Sequence, residues 1–316
     1  MKNKAFFMKK NIKNIAVYLA FVALFLIFAI TLKNVGTGFI STGNLMNILR
    51  QTSLIAIMAV GMTYALGAAQ IDLSVGSVVG VASLVAALAL KKYGIVVGVF
   101  SGVAVGAAVG ALNGFLTAQL KVPAFLATLG TMIIFAGVSR TLTNLKSIPI
   151  LDSTYKYIFG GGNVGFLPVL GIWMVIIVGI GYVVLVKTGF GRRAIAVGSN
   201  PVASFYSGVN VKRVIFSVML LSGILAGFTG VLWAGRFGGG RYSLGEGAEL
   251  SVIAATVLGG TSIYGGRATV LGAAIGAIMI GMIDNALIMY GLDVYQQMII
   301  RGIIIISAVV VTTSRD

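Results

Sequence analysis

Residues 95–120 read IVVGVFSGVAVGAAVGALNGFLTAQL, a run of 26 positions without a charged side chain. About 20 mostly apolar residues suffice for a helix to cross the hydrocarbon layer of a membrane. Gly98, Gly102, Gly106, Gly110 and Gly114 recur at every fourth position of this run, so on a helix they form one smooth stripe. Helices in lipid associate largely through such small residues, which let two backbones approach closely. The stretch therefore predicts a membrane-spanning helix with a packing groove for a neighbour. Gly223 with Gly227, and Gly272 with Gly276, repeat the spacing further along the chain.

Working outward, apolar runs lie near 15–32, 45–68, 76–90, 124–144, 166–186, 214–235, 248–262, 268–290 and 294–311. With 95–120 they predict an all-α polytopic membrane protein of about ten helices. The runs 76–90 and 248–262 fall short of a full crossing and read as half-helices or tilted pieces. The composition agrees: of 316 residues, 58% are hydrophobic and 9% charged, against about 45–50% and about 25% in soluble domains. Mean hydropathy is +1.04.

A formal charge of +16 would suit nucleic acid if it were gathered on one face. It is instead spread between the apolar runs. Lys2, Lys4, Lys9, Lys10 and Lys13 precede the first run and, by the excess of basic residues in cytoplasmic loops, hold the N-terminus in the cytoplasm. The segment has no small-residue cleavage site, so it is read as retained. Ten crossings return the C-terminus to the same side, and 13 of the 23 basic residues, Arg315 among them, then fall inside against seven outside. No nucleic-acid partner is needed to explain the charge.

Catalytic chemistry is poorly served. The chain has neither His nor Cys, which removes imidazole and thiolate metal sites and Ser-His or Cys-His nucleophiles. Lys146-Ser147 and Lys187-Thr188 are preceded by Leu145 and Val186, where a phosphate-cradling loop requires glycine. The sequence reads as a non-enzyme with no cofactor and no metal.

Polar side chains inside apolar runs are expensive in lipid, so each is a candidate for a pathway or for an interhelical bond. Gln70, Asp72 and Ser74 stand at the break after the second run, Asn113 lies in the fourth, and Asp284 and Asn285 lie in the ninth. These six are the candidate solute path, since a few spaced amides and hydroxyls can exchange for hydration without trapping a solute. The plain alternative is glue, including an Asp284–Arg301 pair. Asp72 and Glu249 also suit helix starts, where a carboxylate accepts from free N–H groups. Asp72-Leu73-Ser74-Val75 is echoed by Glu249-Leu250-Ser251-Val252. On ten crossings the two copies sit on opposite sides, which predicts an inverted repeat of helices 2–5 and 7–10.

The longest polar break, 187–213, reads KTGFGRRAIAVGSNPVASFYSGVNVKR. Ser199-Asn200-Pro201 is a helix-start signal and Gly208 a stop. A short amphipathic helix here would lie on the cytoplasmic surface, placed for a soluble partner or for the membrane surface itself.

The blocks GMTYALGAAQIDLSVGS (61–77), VPAFLATLGTM (122–132), GRRAIAVGSNPVASFYSGVNV (191–211), LGEGAELSVIAATVLGGTSIYGGRATVLG (244–272) and YQQMIIRGIIII (295–306) resemble, in the same order, those of the membrane permeases of ribose-type sugar ABC importers. The chain departs from that pattern at Gln70, Ser251, Asp284-Asn285-Ala286 and Ala136-Gly137. The resemblance implies one permease domain over 1–316, with a cytoplasmic tail at 1–14, dimerising with a second permease copy in a bacterial plasma membrane. It implies a cytoplasmic ATPase docked on the 187–213 coupling loop, where Arg192, Arg193, Asn200 and Gly208 would matter most. An extracytoplasmic sugar-binding protein would dock through the outer basic residues Lys146, Lys156, Arg236 and Arg241. Three functions stay open: a sugar permease, a permease for another small solute such as a nucleoside, a branched-chain amino acid or a furanose-like signalling molecule, and an ion-coupled secondary transporter.

Overall fold

The computed structural model describes the backbone of residues 2–313, and side chains for 17–304 and 306. The side chains of the N-terminal lysines, and Arg315, lie outside what is described. The chain forms α1 (Lys2–Thr31), α2 (Thr42–Gly67), α3 (Val75–Tyr93), α4 (Ile95–Ala118), α5 (Ala124–Leu142), α6 (Ser153–Lys156), α7 (Val169–Lys187), α8 (Gly189–Ser199), α9 (Pro201–Tyr206), α10 (Val211–Phe237), α11 (Ala248–Leu258), α12 (Val270–Met289) and α13 (Val294–Thr313). Each of the ten apolar runs is helical. Among the described residues, seven helices are long and apolar enough to cross a membrane, namely α2, α3, α4, α5, α7, α10 and α12, while Val17–Thr31 and α11 are shorter apolar helices.

The expectation of a short third helix is corrected. Lys91 and Lys92 do not end α3, which runs 19 residues to Tyr93 and stops at Gly94 with φ 88°. Lysine is a good helix former, and near the C-terminus its charge favours the helix dipole. The eighth run is short, as its sequence predicts, with α11 spanning 11 residues. Boundaries elsewhere follow side-chain caps: Ser41, Asn200, Asn210 and Thr269 each accept an N–H at the start of α2, α9, α10 and α12.

The glycine stripe of α4 is a packing groove, and two helices fill it. A Cβ on Gly102 would come within 3.1 Å of Ala86 Cβ on α3. One on Gly106 would overlap the Gly223 carbonyl of α10, and one on Gly110 would lie 2.7 Å from the Met219 carbonyl. Gly227 returns the contact at 2.8 Å from the Gly102 carbonyl. Dispersion between backbones that close replaces the hydrophobic effect, which does not act between helices in lipid.

Further helix contacts follow a pattern. α10 packs on α3 and α4, and α2 packs on α11 and α12; α3 touches α4 and α5, and α11 touches α12 and α13; α2 and α10 meet each other. At one end of the bundle Gly67, Gly198 and Gly265 bring α2, α8 and the 259–269 link backbone to backbone, with Gly266 N–H donating to the Gly67 carbonyl at 3.1 Å. At the opposite end Ile148 pairs with Gly240 and Pro149 with Gly239. There Tyr155 hydroxyl donates to the Val231 carbonyl at 2.9 Å, tying the 144–168 segment to α10.

Candidate functional site

The break between α2 and α3 turns Asp72 into the protein interior, where it is fully buried. One carboxylate oxygen accepts from the Ser74 N–H at 3.0 Å and the Ser74 hydroxyl at 2.6 Å, the other from the Ser222 hydroxyl of α10 at 2.7 Å. Asn113 of α4 donates its amide to Ser74 Oγ at 2.8 Å, and the Thr131 hydroxyl of α5 donates to Asn113 Oδ1 at 2.8 Å. Three candidate residues, Asp72, Ser74 and Asn113, thus meet in one network that joins α3, α4, α5 and α10. Ser222 and Thr131 complete it. Sequence reading passed over both because hydroxyls are common in membrane helices, where they often bond to their own backbone.

The other three candidates lie elsewhere. Gln70 is half-buried and donates to the Ala68 and Ala69 carbonyls at 3.3 and 3.1 Å, closing the local turn. Asn285 exchanges two amide bonds with Asn44 of α2, at 3.0 and 2.9 Å. Its neighbour Asp284 points to another face and pairs with Arg301 of α13 at 3.0 Å, with side chains 24% and 35% exposed.

That pair lines a cavity of about 400 Å³ between α2, α10, α11, α12, α13 and the 238–247 link. Gln51 and Thr52 enter its wall from α2, Trp233, Arg236 and Phe237 from α10, Ser243 to Gly247 from the link, and Ser251 from α11. Ala277, Ile280, Gly281 and Asp284 form the α12 wall, and Thr52 packs against that wall so closely that a Cβ on Gly281 would overlap its side chain. Glu246 pairs with Arg140 of α5, and the Arg140 guanidinium stands 5.6 Å over the Tyr242 ring. Chemically the cavity offers aromatic rings, hydroxyls, an amide, two carboxylates each paired with an arginine, and the Arg236 guanidinium, held by a backbone carbonyl.

At the Gly67 end, α8 and α9 present an open surface. Arg192 and Arg193 are exposed, and Val202, Phe205 and Tyr206 are 63%, 66% and 83% exposed. Asn200 caps α9 by accepting the Ala203 N–H at 2.9 Å, and Gly208 has φ 83°, a left-handed conformation that glycine adopts without strain. At the other end Lys146 and Arg241 are exposed, whereas Lys156 is half-buried. Arg236 is half-buried too: it donates to the Arg50 carbonyl at 2.9 Å and faces the cavity. Glu249 sits in the first turn of α11, and a Cβ on Gly76 would overlap its carboxylate, so the starts of α3 and α11 lie against each other.

The protein family described as "Branched-chain amino acid transport system / permease component" matches residues 44–309. The probable ABC transporter permease protein YphD of Escherichia coli (strain K12) is 38% identical over 304 residues, covering 96% of this chain and 90% of the relative. The ribose import permease protein RbsC of Bacillus subtilis (strain 168) is 37% identical over 298 residues, 94% of this chain and 92% of the relative. The L-arabinose ABC transporter permease protein AraH of Azospirillum brasilense is 33% identical over 293 residues, 91% of this chain and 85% of the relative. No solved structure matches the chain. With the family covering most of the sequence and relatives of this identity aligned over nearly its whole length, the chain belongs to this permease family as a multi-pass membrane protein of the ribose-type ABC permeases.

Proposed function

We propose that the chain is the membrane permease subunit of an ABC importer that carries a monosaccharide across the bacterial inner membrane, using ATP hydrolysed by a separate subunit. The observation that carries this reading is the match over residues 44–309 together with relatives named for ribose and L-arabinose. The ATPase binds the α8–α9 segment within 187–213. Its exposed Arg192, Arg193, Phe205 and Tyr206 support this, since aromatic and arginine side chains favour protein interfaces. The glycine contacts of Gly198 with Gly67 and Gly265 give that segment a rigid route into the bundle.

In this reading 1–316 is one permease domain with its first 14 residues and both termini in the cytoplasm, and a second copy completes the transporter. All ten apolar helices belong to the membrane domain. Helices α2–α5 and α10–α13 form the two inverted copies, a view supported by the exchange of contacts in which α2, α11 and α12 mirror α10, α3 and α4. The binding protein docks at the opposite end through Lys146, Lys156 and Arg241, with Arg236 reaching from the cavity rim. The six polar candidates divide between support and passage: Gln70, Asp72, Ser74, Asn113 and Asn285 hold the helices that frame the path, and Asp284 faces it.

The test is ATP-driven uptake by vesicles carrying the permease, its ATPase and its binding protein. D-ribose, D-xylose or L-arabinose should accumulate. The double change Arg192→Glu/Arg193→Glu should reduce uptake and ATPase co-purification by about tenfold or more, the scale of losing a charged interface contact, with the permease still in the membrane. Accumulation of L-leucine in place of any pentose would contradict the substrate, and undiminished ATPase binding would contradict the docking surface.

A further inference from the structure

We propose that the cavity beside α12 and α13 is a monosaccharide-binding vestibule of the permease, and that the Asp284–Arg301 pair in its wall sets its preference for neutral polyhydroxyl solutes. The inference rests on the sugar-permease reading and assigns a place and a selectivity to it. Small-molecule sites are concave, of about 300–1,000 Å³, and mostly apolar with a few convergent polar groups. The cavity, at about 400 Å³, meets that description. A sugar presents a C–H face and a hydroxyl edge. Trp233 and Phe237 offer flat apolar surfaces for the first, while Gln51, Ser251, Asp284 and Arg301 offer donors and acceptors for the second.

The charges decide between solute classes. Asp284 and Arg301 neutralise each other at 3.0 Å, Glu246 is paired with Arg140, and the other guanidinium of the wall, Arg236, donates to the Arg50 carbonyl at 2.9 Å. A hydroxyl can donate to the carboxylate and accept from the guanidinium while their pair stays intact. An ionic or zwitterionic solute would have to break the pair to use it, leaving charges to be rematched in a place where an unpaired charge is costly. The pair is also partly open, with side chains 24% and 35% exposed, unlike the fully buried Asp72.

The chain has no cysteine, so Ser251→Cys places a single thiol on the cavity wall. The full-length permease in lipid nanodiscs is treated with 2-aminoethyl methanethiosulfonate, alone and with D-ribose, D-xylose, L-arabinose or L-leucine. The thiol should react, and at least one pentose should slow the reaction about tenfold while L-leucine does not. Gln51→Cys provides a second reporter if Ser251→Cys fails to assemble. Adding Asp284→Asn/Arg301→Gln, which removes both charges and leaves an amide at each position, should raise the pentose concentration needed for protection about tenfold, the effect of losing charge-assisted hydrogen bonds. An unreactive thiol, reaction indifferent to every pentose, or protection by L-leucine would overturn the proposal. Pentose uptake that persists in vesicles alongside any of those results leaves the permease reading standing, whereas its absence from the unmodified transporter strikes that reading itself.

Discussion

The crossing of α4 over α10 and the crossing of α12 over α2 are counterparts in the contact pattern, yet one is sealed and the other hollow. In the first, Gly106 and Gly110 meet Gly223 and Gly227, so main chain lies on main chain. The nearby acid, Asp72, spends its oxygens on Ser74 and Ser222 and is fully buried. In the second, Gly281 meets the Thr52 side chain, and beside it space opens for which Asp284 and Arg301 form part of the wall. Two acids that look alike in sequence therefore stand in different surroundings. A buried carboxylate saturated by hydroxyls fastens helices, whereas one half-open beside a cavity and balanced by a cation can meet a solute.

The largest effect should come from closing distance at the sealed crossing. Gly106→Ala forces a methyl into the Gly223 carbonyl and should cost about 3 kcal/mol, the upper range for overpacking a close contact; the fraction of monodisperse, folded permease after heating in detergent measures it. Asp72→Ala removes three hydrogen bonds. At about 0.6 kcal/mol for each such bond in a helical bundle, the loss is about 2 kcal/mol. It should appear in the same thermal assay, with the ranking of pentoses among surviving transporters unchanged; an altered ranking would move Asp72 from the framework to the path. The smallest effect is expected outside the comparison. Lys146→Ala removes one exposed charge at the end proposed for docking and should slow binding-protein association only at low salt, with the difference gone near 1 M, where screening acts within about 3 Å.

Much of this was legible in the sequence. The four-residue glycine period of α4 announces its groove, and the Asn200 and Gly208 signals place α9 within the 187–213 break. Long-range pairing was harder to read. Ser222 and Thr131 carry no signal that distinguishes them from hydroxyls bonded to their own helix, yet they complete the Asp72 network across distances of 150 and 18 residues from their partners. Asp284 and Asn285 are adjacent in sequence, and only the helical rotation between neighbours sends one to Arg301 and the cavity and the other to Asn44. Arg236 reads as an outer-surface charge because it ends an apolar run, but the chain folds back through the 238–247 link and leaves it lining the cavity.

The central claim, that Asp72 fastens while Asp284 meets solute, is tested most directly by one measurement. Vesicles with the complete transporter are assayed for the concentration dependence of pentose uptake, normalised to folded permease, in the wild type, Asp72→Asn and Asp284→Asn/Arg301→Gln. The account predicts that Asp72→Asn lowers the amount of folded protein but leaves the half-saturating concentration and the order of pentoses as they were. The double change should leave folding nearly intact and shift the half-saturating concentration about tenfold. A shift confined to Asp72→Asn, with the double change transporting as the wild type does, would contradict it.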